Sequence, residues 1–144
     1  MSGWPRFEVH CKLATIQLRL QDLFSIERKT ISDLVGCCMG DNRDRFEREL
    51  HRLRGYRFKR PLVVGSEAEI LADQYHSNIK PQAVVATVCA FEARYDLPVV
   101  FVPTAQAGAR LVERWSFYFA RETVAVLNDL WRAELKGPAA SKTV

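Results

Sequence analysis

The sequence predicts an α/β fold, a central parallel or mixed sheet with helices on both faces. Three observations lead there. Pro61-Leu62-Val63-Val64-Gly65 and Val99-Val100-Phe101-Val102 are short apolar runs between turn signals, which suits buried strands. Segments with apolar residues at helical spacing alternate with these runs from residue 60 onward, the pattern of βαβ units. Hydrophobic residues make up 48% and charged residues 26% of the 144, the balance of an ordinary globular domain, which excludes a disordered or fibrous chain. No apolar run approaches the roughly 20 residues of a membrane-spanning helix.

The elements follow in order. Phe7-Glu8-Val9-His10-Cys11-Lys12-Leu13 alternates apolar and polar residues and reads as a strand with one buried face. Leu23-Phe24-Ser25-Ile26-Glu27-Arg28-Lys29 is a second strand. Thr30-Ile31-Ser32-Asp33 has capping-box spacing and opens a short helix ending near Gly36 or Gly40. A longer helix runs from about Asn42 to Arg54, with Phe46, Leu50 and Leu53 on its core face and Gly55 at its end. After the Pro61 strand, Ser66 caps a brief helix through Leu71. Pro81 suits the first turn of a helix to about Tyr95, ahead of the Val99 strand. Thr104 to Lys136 reads as one or two helices carrying Leu111, Trp115, Phe119 and Leu130. Residues 1–136 are expected to form a single domain and 137–144 a frayed tail.

The formal charge is +4, mildly basic and open to an acidic partner. The cysteines at 11, 37, 38 and 89 form no C-x-x-C pair, so free thiols in a reducing compartment are expected rather than a zinc site. Met1-Ser2-Gly3-Trp4-Pro5-Arg6 has no basic segment followed by an apolar stretch, which leads to the expectation of a cytoplasmic protein. His10, His51 and His76 show no ligand spacing.

Chemistry concentrates in Glu27-Arg28-Lys29-Thr30-Ile31-Ser32-Asp33. In a strand, side chains two apart share a face, so Glu27 and Lys29 project together while Arg28 points away. A carboxylate there suits Mg²⁺ or Mn²⁺, hard cations that take oxygen ligands. A lysine beside it orients water or stabilises developing charge on a phosphoryl group. The bare E-x-K triplet equally describes an exposed salt bridge. Asp33 is open to two readings, support for such a site or the N3 acid completing the cap begun by Thr30.

The longer string E-R-K-x-x-x-D, with Leu34-Val35 and an arginine-rich helix behind it, resembles the nuclease domain of the XPF-type structure-specific endonucleases. The hallmark of that family is G-D-x(n)-E-R-K-x-x-x-D. Arg43-Asp44-Arg45-Phe46-Glu47-Arg48-Glu49-Leu50 is similar to the family's helix after the motif, and Arg60-Pro61-Leu62-Val63-Val64 to its next core strand. With the Pro81 helix and Val99 strand, the resemblance spans residues 22 to 120. It implies a restriction-endonuclease-like fold and metal-dependent cleavage of DNA near junctions. Under it, Glu27 is a metal ligand, Lys29 the catalytic lysine, and Asp33 a supporting acid. Arg28 lies on the opposite face, pairing with an acid, packing under the site, or touching DNA.

The family's D-x-R-E strand and G-D-Y turn have no counterpart upstream, where the acids before Glu27 are Glu8 and Asp22 alone. Cys11 to Leu18 is similar to the family's second strand. Asp22, in an expected hairpin turn, either supplies the second metal carboxylate or serves as a turn aspartate. Eight Lys and Arg residues fall between Arg43 and Arg60, and Arg45, Arg48 and Arg52 form one helical stripe. They read either as a solvated face tied by i,i+4 pairs or, with Arg43, as phosphate contacts beside the E-R-K site. Backbone contact would recognise DNA structure rather than sequence. Trp115, Phe117, Tyr118 and Phe119 cover more than one face of the late helix, and the excess over the core fits a homodimer surface.

Overall fold

The structure is a computed structural model, which describes the backbone of residues 6–11, 14–19 and 22–136, and side chains from residue 22 to 135. β1 (Arg6–Cys11) and β2 (Ala14–Arg19) pair antiparallel, from Arg6↔Arg19 to Cys11↔Ala14. β3 (Phe24–Thr30), β4 (Phe58–Val64) and β5 (Val100–Val102) form a separate, all-parallel sheet in the order β3-β4-β5. Parallel neighbours need crossovers, and helices supply them. α1 (Ile31–Gly36) and α2 (Gly40–Leu53) link β3 to β4, while α3 (Glu67–Leu71) and α4 (Pro81–Tyr95) link β4 to β5. α5 (Ala105–Lys136) follows as one helix of 32 residues, about 48 Å long. None of the helices among the described residues is long and apolar enough to cross a membrane.

This is the expected α/β, restriction-endonuclease-like arrangement, and the register shows why each side of the sheet is occupied. Lys29 lies beside Val63, and Arg28 beside Leu62. Val63 belongs to the main core with Leu34, Val35, Phe46, Leu50, Val84, Val88 and Phe91, the inward faces of α1, α2 and α4. Leu62 and Val102 lie on the other side under α5, where Gly108 allows the helix to approach both. A smaller aromatic cluster continues that side: Phe24 stacks on Phe58 at 4.8 Å, and Phe58 meets Trp115 and Phe119 of α5 at 5.6 and 5.7 Å. Phe117 and Tyr118 stand outside it, 63% and 54% exposed.

One local expectation changes. Among the described strands β3 pairs with β4 rather than folding back on β2, so Asp22 occupies an exposed turn leading into β3 and not a hairpin between paired strands. The β1–β2 register uses those two strands on each other, while β3 gains a buried parallel partner through the α1–α2 crossover.

Candidate active site

β3 carries its functional pair at the edge of the three-stranded sheet. Alternation along the strand puts Glu27 and Lys29 on the face that looks toward α2. Lys29 Nζ donates to Glu27 Oε1 at 3.0 Å and lies 3.7 Å from Glu49 Oε2 of α2. The same ammonium sits 4.6 Å from the centre of the Phe46 ring, a cation–π contact that helps fix it. Burial disfavours its charge, yet the hydrogen bond to Glu27, the Cys37 thiolate that forms only at alkaline pH, and the carboxylates of Glu27 and Glu49 outweigh that and raise its pKa.

The next turn is built by the predicted capping box. Thr30 Oγ1 accepts from the Asp33 amide at 3.2 Å, and Asp33 Oδ2 accepts from the Thr30 hydroxyl at 2.8 Å and the Thr30 amide at 3.3 Å. Those hydrogen bonds hold the Asp33 carboxyl below the usual carboxylate range. Asp33 nevertheless lines the same cleft as Lys29, a polar hollow of about 290 Å³ that Cys37, Asn42, Arg45 and Glu49 complete, with Phe46 as its apolar wall. Its cap role and its place at the cleft coexist. Burial pushes the Cys37 thiol up, and the Cys38 thiol to about 11, so both stay protonated near neutrality.

The arginines divide. Arg43 turns inward: its Nε donates to Glu47 Oε1 at 3.1 Å and its guanidinium lies over Phe91 at 5.5 Å. Glu47 also accepts from Arg94 at 3.2 Å and from the Tyr95 hydroxyl at 3.0 Å, so this node ties α2 to α4. Burial alone would raise the Glu47 pKa, but Arg43, Tyr95 and Arg94 together lower it. Arg45 is exposed at the rim of the Lys29 cleft, 4.0 Å from Glu49 Oε1. Arg48 and Arg52 line a second, open groove of about 640 Å³ with Asp44, His51 and Tyr95. The stripe therefore runs over the α2 ridge from one hollow to the next. Arg28 is exposed on the opposite sheet face and makes no ion pair among the described residues. Asp22 precedes β3 by two residues and is exposed.

Glu49 is the residue that sequence reasoning passed over. It appears there only as one acid within the arginine-rich string from Arg43 to Leu50, although its position three residues after Phe46 already put it on the flank of the α2 core face. Among the described residues no group of three or more His, Cys, Asp or Glu is arranged to hold a metal ion. Glu27 offers a hard oxygen donor on β3, joined to the cleft through Lys29, and Mg²⁺ commonly binds through one or two carboxylates plus substrate phosphates. The donor set thus suits a divalent cation held jointly by Glu27 and DNA.

No curated protein matches the chain at a significant level. Residues 5–114 match the family model described as the ERCC4 domain. With most of its length matched, and with Glu27 and Lys29 of the E-R-K string paired at the edge of a parallel α/β sheet, the chain belongs to the ERCC4 domain family and carries an XPF-type nuclease domain.

Proposed function

We propose that the chain is a metal-dependent endonuclease that hydrolyses phosphodiester bonds in branched or junction DNA, acting in the cytoplasm. The observation that supports this best is the 3.0 Å Glu27–Lys29 pair on the open edge strand, beside a polar cleft. Glu27 would hold Mg²⁺ or Mn²⁺ together with phosphate oxygens, and the cation, when bound, supplies Lewis-acid stabilisation of the phosphoryl group. Lys29 presents a fixed positive charge to the cleft, where it orients the attacking water or stabilises charge developing on the phosphate. Phe46 restricts the ammonium, so less reorganisation is needed at the moment of reaction. Asp33 holds the turn that carries the lysine strand into α1.

The test is cleavage of flap and fork DNA by the purified chain in Mn²⁺. Wild type should cut, and Glu27→Gln should bind the same DNA without cutting, because the change removes metal charge and no phosphate contact. Asp22→Asn separates the two roles open to that residue. Loss of cutting makes it the second ligand, and wild-type cutting makes it a turn residue. A specific observation favours a second reading, a DNA-binding or scaffold subunit with the nuclease fold: Glu27 is already neutralised by Lys29. Wild-type binding with no cutting would establish that reading.

Under either reading the exposed stripe of Arg45, Arg48 and Arg52 contacts the DNA backbone, and Phe117 with Tyr118 is the surface on which a homodimer would form. Replacing the three arginines with alanine should weaken binding equally for all sequences. The log–log salt slope should flatten by about 0.9 per lost phosphate contact. Arg43→Ala should leave that slope unchanged, because its guanidinium is committed to Glu47 and Phe91. Titrations across a salt series check both.

A further inference from the structure

Lys29 has two carboxylate partners, but the proposed chemistry asks one of them, Glu27, to serve a cation as well. A cation arriving at Glu27 repels the neighbouring ammonium and competes for the oxygen that accepts its hydrogen bond. Glu49 Oε2 is a second carboxylate oxygen near that ammonium, 3.7 Å from Nζ, while Glu49 Oε1 lies 4.0 Å from Nε of the exposed Arg45. Phe46, one turn earlier on α2, limits how far the ammonium can swing. Glu49 is 28% exposed, against 35% for Glu27, so Glu27 is the more open of the two carboxylates.

We propose that Glu49 is a positioning residue that takes over the Lys29 ammonium when Glu27 engages a divalent cation. This rests on the metal-dependent reading of the Glu27–Lys29 pair. Glu49 itself need touch neither metal nor DNA. Its part is to lower the energy of separating Lys29 from Glu27, and to keep the ammonium at the cleft once they separate.

Mn²⁺ binding to the intact chain saturated with forked DNA, read by electron paramagnetic resonance on ice before cleavage begins and corrected for Mn²⁺ bound by the DNA alone, tests this in a double-mutant cycle. Glu49→Gln is nearly isosteric and removes the charge, so Lys29 is left with Glu27 alone. Mn²⁺ affinity should fall roughly tenfold, within the range of coupling between contacting groups. In a Lys29→Met background there is no ammonium to hand over, and adding Glu49→Gln should change Mn²⁺ affinity little. A thermal scan of each variant sets a measuring temperature below its unfolding. If Glu49→Gln lowers affinity equally with and without Lys29, Glu49 is a direct ligand or a background charge and the proposal falls. It falls also if Glu49→Gln binds Mn²⁺ as wild type does while wild type binds the ion and cuts DNA, and the nuclease reading then stands. Wild type that neither binds Mn²⁺ nor cuts overturns both, and that failure is visible before any variant is compared.

Discussion

Lys29→Met is expected to lower Mn²⁺-dependent cleavage of forked DNA by a factor on the order of 10² or more, with DNA binding nearly unchanged. The size follows from what the side chain is placed to do. Its ammonium is held by Glu27 and Phe46 and neighbours Glu49, so it meets the phosphoryl group already oriented, in a cleft with one apolar wall. Binding should persist because the side chain is only 13% exposed, while the exposed arginines lie along α2. The same variant gives a metal-free readout through stability. The native pKa of Lys29 lies above its ordinary value, so the ammonium contributes stability that is fully present below the unfolded lysine pKa of about 10.4. That contribution is lost as pH rises through the native pKa. The stability advantage of wild type over Lys29→Met should therefore be constant through neutral pH and shrink in the alkaline range. Chemical denaturation at a series of pH values checks it. A difference that grows with alkaline pH would refute the ion-pair account, and full cleavage by the variant would refute the catalytic one.

Much of this site is legible in the sequence because it is local. Strand alternation is enough to put Glu27 and Lys29 on one face, and the T-x-x-D spacing is enough to close the cap at α1. Phe46, Leu50 and Leu53 recur at helical period, and all three are buried. What the sequence leaves open depends on packing between elements distant in the chain. Glu49 reads as one acid of the arginine-rich string, and only the crossing of α2 over β3 brings it to Lys29. Arg43 reads as one more basic residue of the helix, yet Glu47 draws it toward Arg94 and Tyr95, nearly fifty residues further on. The pairing of β3 with β4 is of the same kind, since two apolar strands do not reveal their neighbours. The turn at Asp22 is accordingly placed by β4, not by the strand before it.

The junction that supports the site has its own vulnerable point at Gly65, and Gly65→Ala should destabilise the domain by about 2–5 kcal/mol. Gly65 is buried at the end of β4 with φ of +138°, a conformation that side-chain-bearing residues avoid. An added Cβ would overlap Ile31 Cγ1 and lie 2.7 Å from Ile31 Cδ1 and 3.2 Å from Glu69 Oε2. The backbone has little room to retreat, because the Gly65 amide donates to Val102 O at 2.8 Å and Ser66 next to it caps α3. Ile31 is equally confined as the first residue of α1, directly after Thr30, whose strand partner is Val64. Strain introduced at residue 65 is thus delivered to the cap that follows Lys29. A melting temperature lower by about 5–15 °C is the expected signature for a chain of this size. Pairing Gly65→Ala with Ile31→Ala separates the contributions. Removing the Ile31 side chain relieves the overlap but leaves the unfavourable φ, so the two losses should sum to more than the double variant shows. Strict additivity would mean that Ile31 is not the obstacle, and a Gly65→Ala protein melting with wild type would mean that β4 leaves the sheet by another path.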